Sequence, residues 1–314
     1  MKKLLRIILI KGEKVNNSSR NFFNIVPKAY VYALVVTLFW STMASAFKLT
    51  LRILEQNILQ LLLFSSLVSV ITLFFSLALS GKIIFLKKTT SRDIISSLLL
   101  GALNPCLYYF LLFTAYSLLP GQEAGTLNYT WPIALTLLSI PLLKQKIRLI
   151  HITAILLGFM GVLIIATKGR IFSIQFTNLT GALLAVGSSF VWALYWIFNV
   201  RDKRDARLKL FLNFCFGSIF LLLAAIFSGN FALPSLYGMM GIIWIGMFEM
   251  GLTYVFWLKA LKIAPRTSAV SNVVYLSPFL SLFFLQLVVK EDILLSSVIG
   301  LILIVSGILL QGKK

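Results

Sequence analysis

Residues 108–120 read YYFLLFTAYSLLP, and residues 253–265 read TYVFWLKALKIAP. Tyr109, Ala115 and Pro120 of the first stretch recur 145 residues later as Tyr254, Ala260 and Pro265. Downstream, Pro132, Ala154 and Gly161 recur at a spacing of 146 as Pro278, Gly300 and Gly307. Self-similarity at a fixed offset marks a duplicated architecture. In both copies an apolar run ends on a proline, which cannot continue a helix and so opens a turn. The fold therefore depends on how many such runs each copy holds.

The 314-residue chain is 59% hydrophobic and 12% charged, with a mean hydropathy of +0.96. A soluble domain carries about 25% charged residues, so this chain belongs in lipid. Ten apolar runs approach the ~20 residues a helix needs to cross a bilayer. They are 29–47, 58–80, 94–118, 124–143, 149–167, 178–199, 208–228, 235–257, 267–289 and 293–311. Membrane strands alternate in polarity and are about half as long, so the predicted fold is an all-α bundle of ten transmembrane helices. Five helices per copy is an odd number, so the second copy enters from the opposite side: two inverted five-helix repeats, 29–167 and 178–311.

Charge sets the orientation. The chain has 29 Lys+Arg against 9 Asp+Glu, a net charge of +20. With a cytoplasmic N-terminus, 24 of the basic residues fall inside and 5 outside: Lys48, Arg52, Lys168, Arg170 and Lys290. This positive-inside bias places both termini in the cytoplasm and the chain in the cytoplasmic membrane. Residues 1–28 carry Lys2, Lys3 and Arg6 ahead of a short apolar run with no small-residue cleavage site, which reads as a basic segment lying on anionic lipid. No soluble domain gathers the charge, which excludes a nucleic-acid partner. Two cysteines and one histidine exclude a disulfide scaffold and a metal centre. No phosphate-binding Gly-x-x-x-x-Gly-Lys-Ser/Thr loop is present, so neither ATP nor another cofactor is expected.

One acid stands out. Glu249 lies mid-run in 235–257, where an ionised carboxylate costs roughly 2.5–3.5 kcal/mol unless it faces a cavity. It can hold a substrate ammonium or exchange a proton; a protonated glutamate bonded to a neighbouring helix is the structural alternative. Asn128, Tyr129 and Trp131 precede Pro132, which cannot donate to the carbonyl of Asn128 and so loosens the backbone beside them. The amide and the phenol suit a polar solute, and Trp131 suits either stacking or an interfacial aromatic belt. Trp40 and Ser41, Asn104, Trp192 and Tyr195, and Asn272 and Tyr275 complete the mid-run candidates. Asn104-Pro105 also reads as a kink. Ala154-x-x-x-Gly158 and Ser296-x-x-x-Gly300 suit close helix contact or a homodimer.

The segments Phe39-Trp40-Ser41-Thr42-Met43 and Leu127-Asn128-Tyr129-Thr130-Trp131-Pro132, with the repeated Gly161-Val162 and Gly307-Ile308, resemble the drug/metabolite transporter superfamily, EamA type. The resemblance runs from residue 29 onward. It implies ten helices in two inverted halves, with helices 1, 3, 4, 6, 8 and 9 around a central cavity, where the candidates fall. The first half is similar to the aromatic amino acid exporter branch, whereas Phe248-Glu249-Met250-Gly251 departs from it.

The expected function is a secondary transporter exporting a small amphipathic metabolite, an amino acid or a relative, by alternating access, with Glu249 coupling it to protons. A permease for a nucleotide or sugar derivative and a non-transporting scaffold are the alternatives. An intramembrane enzyme would need clustered acids, a histidine pair or a Ser/Lys couple at membrane depth, and the runs offer none.

Overall fold

The computed structural model describes residues 17–143, 149–170, 177–229, 232–263, 273, 274 and 276–311, and every regular element among them is helical. Most of the basic N-terminal segment, Pro265, Asn272 and Tyr275 lie outside the described residues, as does the side chain of His151. Helix α1 (Asn17–Ile53) begins ahead of the predicted 29 and is followed by α2 (Ile58–Leu79). After a short turn of 3-10 helix (Ile83–Lys88), α3 (Ser91–Gly101) continues through a π turn (Ala102–Leu107) into α4 (Tyr108–Leu118). Then come α5 (Gly121–Asn128), α6 (Trp131–Leu143), α7 (Leu149–Ala166), α8 (Leu179–Arg201) and α9 (Ala206–Phe227). Helix α10 (Leu236–Trp244) passes through a π turn (Ile245–Glu249) to α11 (Leu252–Ile263). The last helices are α12 (Ser277–Phe284), ending in a π turn (Leu285–Val289), and α13 (Leu295–Gln311).

Among the described residues, six helical stretches are long and apolar enough to cross a membrane: Lys28–Ile53, Ile58–Leu79, Ser91–Leu118, Leu179–Asn199, Ala206–Phe227 and Leu236–Ala260. The other predicted runs are shorter or interrupted as helices. Run 124–143 is split at Tyr129 and Thr130, just ahead of Pro132, where the proline was expected to loosen the backbone. Hydropathy reports polarity along the chain and is blind to such changes in dihedral angle.

Two of the long stretches are broken near their middles. At the first break Asn104 leaves the helical region, with φ −149° and ψ 117°, because the ring of Pro105 crowds the residue before it and Pro105 brings no N–H. The second break has no proline. Instead, a Cβ on Gly246 would stand 2.5 Å from the carbonyl oxygen of Ser65 on α2. Its counterpart Gly101 is equally tight, 2.5 Å from the carbonyl oxygen of Asn213 on α9. Helices α2 and α9 pack on each other, joined by the Ser66 and Ser218 hydroxyls 2.5 Å apart, so each break is pressed against this pair. Among the described residues, helices α7 and α13 share the most extensive contact of the bundle. A Cβ on Gly161 would lie 2.6 Å from the Gly300 carbonyl oxygen, and one on Gly300 2.7 Å from that of Gly161. Gly300 thus serves a contact within one chain rather than between two.

The loops containing Lys82 and Asp205 meet at one end of the bundle. Lys82 pairs with Asp205. Arg204 donates to Asp202 (Nε to Oδ2, 2.9 Å), to the Asp93 carbonyl (3.0 Å) and to the Ser97 hydroxyl (2.9 Å). Burial pushes both aspartates up, but the bonds from Arg204, and from Lys82 and the N–H of Arg207, outweigh it and hold the carboxyls below their ordinary range. Elsewhere the surface carries large apolar side chains such as Leu79, Phe227 and Leu233, at no cost in contact with lipid tails.

Candidate functional site

Helices α1, α4, α5, α6, α8, α12 and the second break surround a cavity of about 70 Å³. Trp40, Asn128, Tyr129, Trp131, Trp192 and Glu249, all anticipated from the sequence, line it together. The structure adds Met43, Phe47, Tyr108, Tyr116, Gln122 and Thr126. Trp131 faces this space. The volume is two to three times the ~30 Å³ share of a water molecule, well below the several hundred Å³ of a ligand pocket.

Aromatic rings form the walls. Tyr108 and Trp192 lie with centroids 4.6 Å apart, and Trp192 also meets Tyr254 at 5.6 Å. Polar contacts fix the rest: Tyr108 donates to Asn128 Oδ1 at 3.3 Å, and Asn128 Nδ2 to the Ser188 hydroxyl at 2.8 Å. Two groups are left over. The Trp40 indole N–H and Glu249 Oε2 are buried with no hydrogen-bond partner among the described residues. A buried polar group without a partner costs roughly 1–3 kcal/mol, so the site holds one spare donor and one spare acceptor.

Glu249 ends the second π turn and is 7% exposed. Its other oxygen, Oε1, accepts from the Tyr109 hydroxyl at 3.2 Å. The Tyr109 and Tyr254 hydroxyls are 3.0 Å apart, and Asn104 Nδ2 donates to Tyr254 at 3.3 Å. Three predicted site residues stand behind the wall rather than in it. Asn104 is fully buried in this hydrogen-bonded chain. Ser41 donates to the Thr37 carbonyl at 2.5 Å and contacts Ser277 at 3.5 Å. Tyr195 packs against Trp192 and accepts from Asn213 at 3.4 Å. On a helix, a shift of one residue turns a side chain by 100°, and an unaligned apolar run gives no reference for that rotation.

Two signals in the sequence were missed. The offset that relates Tyr109 to Tyr254 also relates Asn104 to Glu249, so the acid has an amide as its counterpart. A second acid, Glu123, is fully buried on α5, with Lys168 at 3.8 Å and the Thr177 hydroxyl at 3.5 Å. Beside it, the start of α5, whose Gly121 and Gln122 line the cavity, is tied to the segment ahead of α13. Glu291 Oε1 and Oε2 accept from the N–H groups of Gly121 (2.9 Å) and Gln122 (3.3 Å) at the start of α5. The Gln122 side chain donates to the Asp292 carbonyl at 2.7 Å and accepts from the Leu294 N–H at 3.0 Å.

Comparison with known proteins agrees with this architecture. The sequence model of the EamA-like transporter family matches twice, over residues 27–167 and 179–312, which makes the two halves a duplication. An uncharacterized transporter of Clostridium kluyveri is 26% identical over 292 residues, covering 90% of this chain and 92% of its own length. The aromatic amino acid exporter YddG of Ancylobacter novellus is 29% identical over 114 residues, 35% of this chain and 39% of that protein. A solved crystal structure with 21% identity superposes with a TM-score of 0.61, covering 91% of this chain and 96% of its own, a likeness of fold. With both halves matched, the chain belongs to the EamA-like transporter family and is a multi-pass membrane transporter, not an enzyme.

Proposed function

We propose that the protein exports a small amphipathic metabolite, an amino acid or a close relative, across the cytoplasmic membrane, coupled to protons through Glu249. The observation that carries this reading is the pair of spare groups in one aromatic cavity. Glu249 Oε2 is a ready acceptor for an ammonium, the Trp40 N–H a ready donor for a carboxylate, and the rings of Tyr108, Trp131 and Trp192 offer stacking faces. A nucleotide would set phosphate against Glu249, with no cation among the described lining residues. The partial similarity to an aromatic amino acid exporter points to the same chemistry. In this reading ten spans form two inverted five-helix halves, 29–167 and 178–311, with both termini in the cytoplasm. The halves exchange conformations around the central cavity.

Counterflow in reconstituted vesicles tests it. Vesicles loaded with aromatic or aliphatic amino acids should take up labelled amino acid, with a rate that depends on pH. Glu249→Gln should flatten that dependence. No counterflow for any amino acid, or an unaltered pH profile in Glu249→Gln, overturns the reading.

A further inference from the structure

Asn104, Tyr109, Tyr254 and Glu249 form one continuous chain of hydrogen bonds, and its members are related in pairs. Asn104 and Glu249 hold the same place in the two halves, as do Tyr109 and Tyr254, each at an offset of 145. The contacts repeat accordingly: Tyr109 of the first half bonds Glu249 of the second at 3.2 Å, and Tyr254 of the second bonds Asn104 of the first at 3.3 Å. The bond between the two tyrosines joins them. Asn104 and Glu249 each sit in a helix break, so the chain links the two breaks directly.

The chain also has a direction. Asn104 Nδ2 can only donate, so Tyr254 accepts from it and passes its own proton toward Tyr109, which donates to Glu249 Oε1. Every donor points at the carboxylate, the arrangement an ionised glutamate requires, and aligned bonds of this kind polarise one another. Its two ends hold the unused capacity: Asn104 Oδ1 and Glu249 Oε2 are both buried without partners. Among the described residues, the ionisable side chains around Glu249 are Tyr108, Tyr109, Tyr116, Tyr129 and Tyr254. No cation acts on Glu249 among the described residues, and Tyr109 is the side chain that bonds its carboxylate.

We infer that the chain is a reversible sensor in which Asn104 is the positioning residue that carries the protonation state of Glu249 from the break in the second half to the break in the first. This rests on the reading of Glu249 as the coupling residue. A proton arriving from the cavity adds to Glu249 Oε2, the oxygen without a partner among the described residues, and a half-turn of the carboxyl brings that O–H to the Tyr109 hydroxyl oxygen. Tyr109 then turns its proton to Tyr254, Tyr254 turns its own to Asn104, and the Asn104 amide flips to present Oδ1. One proton is gained at Glu249, none crosses the chain, and every group stays bonded in both polarities. An amide is suited to the far end because a half-turn exchanges donor for acceptor. A second carboxylate there would add a like charge.

Infrared difference spectroscopy across pH, on the full-length protein in lipid vesicles with isotope-labelled asparagine, tests this without reference to substrate. As pH falls, a carboxylic acid band lost in Glu249→Gln should appear, and one asparagine amide band should shift with the same midpoint. Asn104→Leu should remove that amide band, and Asn104→Ser assigns it should the leucine variant fail to fold. Tyr254→Phe should keep the carboxyl band and lose the amide shift. An amide band that stays fixed in the wild type, or that still follows the carboxyl in Tyr254→Phe, overturns the inference. Should the bands move together in a protein that shows no counterflow, the sensor stands and the transport reading falls. Should pH-dependent counterflow occur beside a fixed amide band, the reverse holds.

Discussion

The hydroxyls of Tyr109 and Tyr254 are 3.0 Å apart, and the two residues lie in the two matched halves at the offset of 145 that also relates Pro120 to Pro265. The duplication is therefore expressed as a contact: equivalent side chains meet where the halves adjoin. Tyr109 is the more connected of the two toward the acid, since it also donates to Glu249.

Tyr109→Phe should accordingly destabilise the protein. It leaves Glu249 Oε1 and the Tyr254 hydroxyl each short of a partner in a buried position, at a cost of roughly 1–3 kcal/mol per orphaned group. Thermal unfolding in detergent micelles, compared with Tyr30→Phe as a control outside this chain, measures the loss. Equal midpoints for the two variants would refute it.

Much of this centre was legible in the residues. An acid in the middle of an apolar run and an Asn-Tyr-x-Trp-Pro segment are both expensive in lipid, and both line the cavity. What composition cannot supply is helix rotation. Tyr108 and Tyr109 are neighbours in sequence, yet Tyr108 forms cavity wall and Tyr109 belongs to the chain behind it. Tyr116 and Gln122 were passed over because a tyrosine or glutamine near a helix end is unexceptional until the opposite element is known. Asn104 was read as cavity or kink, and only its pairing with Tyr254 shows the amide turned away from the cavity.

At the basic end of the bundle, Asp205→Asn should show a pH-dependent loss of stability. The carboxyl of Asp205 is held below its ordinary range in the folded protein. Its stabilising contribution is thus complete above the unfolded value, about 3.9, and disappears as pH falls through the lower folded value. Asparagine keeps the cap that Asp205 provides to the Arg207 N–H and removes only the charge facing Lys82. Wild type should unfold at a higher temperature than the variant at neutral pH, and the gap should close below about pH 4. A gap that widens on acidification would contradict this pairing.

The tie at Glu291 should respond to a single charge. Both carboxylate oxygens accept from the first N–H groups of α5, where a negative charge is favoured by about 0.3–1 kcal/mol. Glu291→Gln keeps the shape and loses that advantage, which corresponds to roughly a two- to fivefold shift toward release of this contact. A cysteine placed at Thr126, which lines the cavity, in a background lacking Cys106 and Cys215, should react faster with an impermeant thiol reagent in Glu291→Gln. Identical reaction rates would show that this contact does not control access to Thr126.

Trp40 separates binding from folding. Its indole N–H has no partner among the described residues, while its ring packs 5.9 Å from that of Trp257. Trp40→Phe preserves most of the apolar contact and deletes only the idle donor, so the unfolding temperature should change little. A substrate carboxylate that engages this N–H on entry should bind less tightly without it, by roughly 1.5–3 kcal/mol for a hydrogen bond to a charged group, about a ten- to hundredfold rise in half-saturating concentration. Counterflow measured against substrate concentration, with an amine lacking the carboxylate run in parallel, reads the effect. The variant should discriminate against the amino acid and leave the amine unaffected. Equal losses for both would mean that Trp40 contributes a ring face and not a donor.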